Sequence, residues 1–258
     1  MVEIIPKVSV LLLIIVRVTT FFIAAPLFSY RAIPAQAKVM LGIVLAWMMY
    51  YTFPSAELAI DGTYILLVLK EAVIGLMLGV MAFIVMSAVQ IAGGLVDFQM
   101  GFAMANVIDP QTGAQAPLMG QFFNFLALLL FLTINGHHLM LDGIYYSYQF
   151  MPYDQMFPAF DSEDTVEFII KLFAATFVIA FQMSAPVVAT LFLVTLALGI
   201  TGKTVPQMNI FVIGFPIKIA VGFIVLIVTM AMLIQLMQYL IEFMIYSLRD
   251  LMAILGGG

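Results

Sequence analysis

The sequence predicts an all-α membrane protein of long, kinked helical hairpins, the kind of chain that forms part of a cone-shaped hetero-oligomer. Three observations carry this expectation. Of 258 residues, 65% are hydrophobic and 9% charged, with a mean hydropathy of +1.18, and charge this sparse cannot solvate the surface of a soluble domain of that size. The apolar residues fall into long runs rather than short alternating segments. Several runs exceed one perpendicular span, and two contain interior prolines, which remove a backbone hydrogen bond and kink a helix.

Val8 to Phe28 and Val39 to Phe53 are close to span length and are separated by Ser29 to Lys38, with Arg31, Pro34 and Lys38, so they read as a helical hairpin. Met1 to Lys7 leads into the first run without a cleavage signature, which makes that run a helix rather than a leader. Thr63 to Ala105 is almost unbroken; at ~1.5 Å per residue it reaches ~65 Å, about twice a ~30 Å hydrocarbon core. Leu118 to Leu141 is the next helix, ending near Asn135-Gly136. Asp142 to Glu167 is aromatic and acidic and has no basic residue. The last third is a second hairpin, Val166 to Ile200 and Ile210 to Leu248, joined by Thr201 to Asn209; its legs carry Pro186 and Pro216 and each reaches ~50 Å or more.

The formal charge of −5 comes with no basic cluster, which argues against nucleic acid and against an anionic-lipid tether. The absence of cysteine excludes disulfides, thiolate metal sites and a thiol nucleophile. Basic residues divide almost evenly between alternate loops, so the acidic segment after Leu141 is the best external marker. It leaves the Arg31 tip and the Gly202, Lys203 and Pro206 tip facing the cytoplasm.

Ala197 to Thr204 satisfies a relaxed nucleotide P-loop string, but a membrane-length helix precedes it and Val205-Pro206 follows, where phosphate binding needs a strand before and a helix after. His137, His138 and Asp142 are drawn together by spacing, yet Gly136 reads as a helix end with polar rings at an interface rather than a metal centre. Gly75 and Gly79, extended by Gly93-Gly94, form a small-residue face for close helix packing.

Polar groups inside the apolar runs are Arg17, Lys70, Glu71, Gln90, Asp97 and Lys218, with Gln235, Gln238 and Glu242 on one face at i, i+3, i+7. Such groups are costly in lipid. Pairing within the chain covers part of the set; Arg17, Asp97, Gln235, Gln238 and Glu242 are the candidates for contacts with partner subunits.

Asp97 to Phe122 is the one polar, Gly/Pro-punctuated insertion between long apolar runs. Its centre is Asn106, Val107, Ile108, Asp109, Pro110, Gln111, Thr112, Gly113, Ala114, Gln115, Ala116 and Pro117. Turn residues leave backbone groups unpaired, which lipid cannot satisfy, so the segment reads equally as a pore element or as a surface loop. Met100, Phe102 and Met104 before it, and Met119 and Phe122 after it, are shoulders suited to a deformable seal.

Leu95-Val-Asp-Phe-Gln-Met-Gly-Phe-Ala-Met-Ala-Asn-Val-Ile-Asp-Pro110, Leu128-Leu-Leu-Phe-Leu-Thr-Ile-Asn-Gly-His137 and Val205-Pro-Gln-Met-Asn-Ile-Phe-Val-Ile-Gly-Phe-Pro216 resemble the signatures of the FliR family of flagellar biosynthesis proteins. That family includes the equivalent export-gate subunit of virulence type III secretion systems. The resemblance runs through nearly the whole chain, with Pro26, Arg31, Pro34 and Lys38 in order, and departs at Gly202-Lys203-Thr204. It implies a non-enzymatic subunit of the flagellar protein export gate, in the inner membrane at the basal body. The implied partners are the P and Q gate subunits, the export-switch membrane protein, lipid and unfolded exported proteins; no cofactor, metal or nucleic acid is implied. It further implies a P-like half over 1–150, a connector over 151–165 and a Q-like hairpin over 166–258. The segment 106–117 is then the plug of a closed channel, beside a methionine gasket contributed mainly by the P subunit, and the gate sits largely above the membrane plane. The reading set against this is a multi-pass small-solute or ion transporter, which needs midplane carboxylates and paired repeats. An intramembrane hydrolase built on His137, His138 and Asp142 is a distant third.

Overall fold

The computed structural model of the chain describes residues 7–29, 33–53, 61–102, 117–155, 163–205, 207 and 209–257, and these are helices and turns without a strand. Among the described residues seven helices follow in order: α1 Val8–Ala24, α2 Ala35–Tyr50, α3 Gly62–Met100, α4 Leu118–Thr133, α5 Gly136–Phe150, α6 Glu163–Thr204 and α7 Ile210–Leu255. Of these, α3, α6 and nearly all of α7 are long and apolar enough to cross a membrane, and α4 with α5 adds a fourth candidate as one bent span. In the most apolar window of α3, 56% of residues are buried, against 22% for α6 and 17% for α7, so the last two leave most of their apolar surface to lipid or partner chains.

Local chemistry sets the helix limits. Pro26 biases the residue before it away from helix, and Ala25 is extended, so α1 ends at Ala24 rather than Phe28. Pro34 immediately precedes α2. Asp61 stands just outside α3 and accepts the backbone N–H of Thr63 at 3.0 Å and of Tyr64 at 3.2 Å, besides the Thr63 hydroxyl. The Thr63 hydroxyl bond, with these N–H bonds, holds the Asp61 carboxyl below its usual range. The single helix expected over Leu118 to Leu141 is two: Asn135 adopts a left-handed conformation at φ 57, and α5 leaves α4 at 69°. Residues 142–150, the first part of the aromatic, acidic segment, therefore belong to α5. Pro186 and Pro216 lie inside α6 and α7 without ending them.

The chain forms two compact units. The first comprises Met1–Met86, Asn135–Phe173 and Glu242–Gly258. Within it α1 and α2 pack as the expected antiparallel hairpin, the N–H of Lys7 donating to the Tyr50 hydroxyl at 2.8 Å. Phe21, Leu78, Met140, Ile144, Leu248 and Met252 meet around one small void. The Gly75 and Gly79 face packs on α1: a Cβ at Gly75 would fall 2.2 Å from the Arg17 carbonyl oxygen, and one at Gly79 2.7 Å from that of Phe21. Gly75→Val is accordingly expected to force the two backbones apart at a cost of about 1–3 kcal/mol, seen as a lower melting temperature in detergent, with Gly75→Ala intermediate. A valine variant as stable as the parent would show that α1 and α3 do not need this approach.

The second unit comprises Ser87–Ile134 and Ala174–Ile241. Ala92, Val96, Met100, Met119, Phe123 and Phe131 are buried there. Gly93 and Gly120 let α3 and α4 touch along their backbones, since a Cβ on Gly93 would lie 2.4 Å from the Gly120 Cα. Both units draw on residues either side of 151–165.

Candidate functional site

The residues flanking the central segment are held from both ends by one buried aspartate. At the end of α3, Gly101 takes a left-handed φ of 90. The N–H groups of Gly101 and Phe102 both donate to the Asp97 carbonyl at 3.1 Å, which closes the last turn. At the start of α4, Pro117 has no side chain able to accept a hydrogen bond, so the first helical N–H groups need an acceptor from elsewhere. Asp97 supplies it. Its carboxylate accepts the Met119 N–H at 3.1 and 2.9 Å and the Gly120 N–H at 3.2 Å, and its charge complements the positive end of the helix dipole.

Asp97, a candidate for contact with a partner subunit on sequence grounds, is 4% exposed and satisfied within the chain instead. Met100 and Met119 are buried beside it, Phe102 is half-buried, and Pro117 and Phe122 are exposed. Gly222 on α7 approaches Met100 so closely that a Cβ there would sit 2.8 Å from the Met100 Cε. Asn106 to Ala116 and Met104 lie outside the described residues.

Arg17 likewise turns inward rather than toward a partner. It is fully buried; its Nε and Nη2 donate to the two oxygens of Glu71, the second at 2.9 Å. Nη1 donates to Ser147 Oγ at 3.0 Å, Nη2 also to the Met151 carbonyl at 2.8 Å, and the guanidinium lies 3.9 Å from the Tyr148 ring centroid. Lys70 contacts Glu71 at 2.9 Å and donates to the carbonyls of Pro152, Tyr153 and Gln155 at 2.9, 3.2 and 2.8 Å. Glu71 thus serves two cations, and the backbone after α5 serves both of them. Charges engaged this fully fix structure; Glu71 has no free oxygen with which to bind and release a coupling ion.

The polar triad behaves differently. Gln235, Gln238 and Glu242 are exposed on α7, and none of them bonds to another described residue. His137 and His138 open α5 with ring centroids 4.2 Å apart, and no cluster of metal-binding side chains occurs among the described residues. Gly202 and Lys203 lie in the last turn of α6, where Thr201 and Thr204 hydroxyls donate to carbonyls within the helix, so the P-loop string is helical. Lys203 is exposed; Pro206 lies outside the described residues.

Buried charges that hold helices together, among helices long and apolar enough to cross a membrane, define the class: a helical membrane protein. Comparison with known proteins gives the particular kind. Residues 8–244 match the family described as bacterial export proteins, family 1. The chain is 52% identical over 248 residues to the flagellar biosynthetic protein FliR of Bacillus subtilis, covering 95% of each chain. It is 30% identical over 241 residues to FliR of Pectobacterium carotovorum, covering 92% of this chain and 89% of the other. With the Yop proteins translocation protein T of Yersinia pestis it shares 29% over 222 residues, 81% of this chain and 85% of that one. The chain belongs to family 1 of the bacterial export proteins; it is an export-apparatus subunit and not a small-solute transporter.

Proposed function

We propose that this chain is the FliR-like subunit of a flagellar type III protein export gate, assembled with P- and Q-type subunits and the export-switch membrane protein in the bacterial inner membrane at the basal body. The observation that carries the flagellar assignment is the 52% identity to a flagellar protein across 95% of both chains, against 29% to a translocation protein of another name. Residues 1–150 form the P-like half and 166–258 the Q-like hairpin, with the tip at Gly202, Lys203 and Pro206 toward the cytoplasm. Gln235, Gln238 and Glu242 meet partner subunits; a row of unsatisfied amide and carboxylate groups on an apolar helix supports this, because lipid offers such groups no partner. The export substrate is an unfolded protein, and the chain's part is to shape the passage rather than to catalyse a reaction.

The segment 106–117 plugs that passage. Support comes from its roots: Asp97 anchors both, so the segment can be displaced while α3 and α4 stay in place. Extraction in mild detergent is expected to bring several different small membrane proteins with the chain. Deleting Gln111 to Ala116 should leave that assembly intact but let small dyes leak across membranes that contain it. A homo-oligomer would overturn the gate reading, whereas an intact assembly as tight as the parent would overturn the plug alone.

A further inference from the structure

Apart from the residues already assigned a role, the first unit has an open groove of about 430 Å³ between α5 and the end of α7. Its floor is apolar, with Leu248 and Met252 each 4% exposed. Its rim carries Asp142 and Tyr146 from α5 and Tyr246 and Arg249 from α7, all exposed. Neither Asp142 nor Arg249 has an ion pair or hydrogen bond to any described residue, although both line the same groove. Elsewhere in this unit the chain joins its buried charges closely, as at Arg17, Glu71 and Lys70. Here a guanidinium and a carboxylate share one cleft without pairing.

We propose that the groove binds one zwitterionic phospholipid of the phosphoethanolamine class. Its phosphate would lie on Arg249 and its primary ammonium on Asp142, with the proximal acyl chain over Leu248 and Met252. Charge complementarity selects this occupant. Arginine gives a phosphate paired N–H donors in a matching plane, and a carboxylate accepts from a primary ammonium. Tyrosine and arginine near the end of a membrane-length helix are the residues that gather at headgroup level, and the cleft volume falls in the range of small-molecule sites. A phosphocholine headgroup has no N–H to give Asp142, and a phosphoglycerol headgroup has no cation at all.

The test uses the full chain, extracted in mild detergent with the subunits that accompany it, stripped of lipid and titrated with phosphatidylethanolamine, phosphatidylcholine and phosphatidylglycerol of the same acyl chains. Bound lipid is counted by native mass spectrometry. One phosphatidylethanolamine is expected to bind preferentially. Arg249→Gln should weaken it about tenfold, the size of one charge-assisted hydrogen bond. Asp142→Asn should instead turn the preference toward phosphatidylglycerol, a reversal that mere misfolding does not produce. Equal retention of the three lipids, or unchanged preference in both variants, overturns the proposal. So does a photocrosslinker at Tyr246 that captures an accompanying protein instead of lipid, since the groove would then be a subunit contact.

Discussion

Glu71→Ala is expected to lower the stability of the chain by about 3–5 kcal/mol, because it leaves two cations buried without their shared counter-charge. The Glu71 side chain is wholly buried, bonded to Arg17 on one side and Lys70 on the other. Arg17→Met should cost less, about 1–3 kcal/mol: it removes one cation, leaves the Lys70–Glu71 pair, and strands the neutral acceptors on Ser147 and Met151. The rank order is the informative quantity, read as melting temperature in detergent. Combining Arg17→Met with Glu71→Leu should recover part of the loss, since an ion pair replaced by apolar groups of similar volume is often close to neutral. If Arg17→Met proves as damaging as Glu71→Ala, the centre of the cluster is the guanidinium and not the carboxylate.

Asp97→Ala is expected to cost about 2–5 kcal/mol, since it strands the buried N–H groups of Met119 and Gly120. An asparagine side chain in its place keeps one acceptor but turns an amide donor toward the same N–H groups, so Asp97→Asn should fall between parent and alanine. Hydrogen exchange locates the effect. Amides at 118–121 should exchange about a hundredfold faster in Asp97→Ala while those of 62–86 stay at parental rates, the signature of local opening rather than global loss. Uniform acceleration across both stretches would make Asp97 an ordinary core residue.

The helical class, the α1–α2 hairpin and the over-long last two helices were legible because apolar runs and their proline limits are local signals. The break at Asn135 was half legible. Asn-Gly marked an end, but the apolar pattern resumes past it, and only the left-handed φ of 57 decides that one run becomes two helices. Arg17 and Asp97 were legible as costly, not as satisfied, because their partners lie 54 and 22 residues away. One cue for Asp97 was available: a helix opening on Pro117 has no side-chain cap, and a buried carboxylate in the preceding helix is the nearest remedy. No such cue identifies Asp142 with Arg249, which are far apart in sequence and joined only by a cleft. Gln235, Gln238 and Glu242 were placed on one face by periodicity alone, and that face is exposed.

The separation between Arg17 and its partners also orders the birth of the protein. A guanidinium on an isolated apolar helix is costly in lipid, and α1 has no acidic residue of its own to offset it. Glu71 emerges from the ribosome 54 residues after Arg17, and Ser147 and Met151 emerge 130 and 134 residues after it. The α1–α2 hairpin therefore waits, incompletely neutralised, until α3 arrives, and the pocket for its cation closes only when α5 has been synthesised. Translation speed and the insertion machinery's capacity to shelter a helix during that interval become determinants of yield. A ribosome stalled after Glu71 has emerged and before Ser147 would hold a nascent chain in which Arg17 can meet its carboxylate but not the neutral acceptors that complete its site.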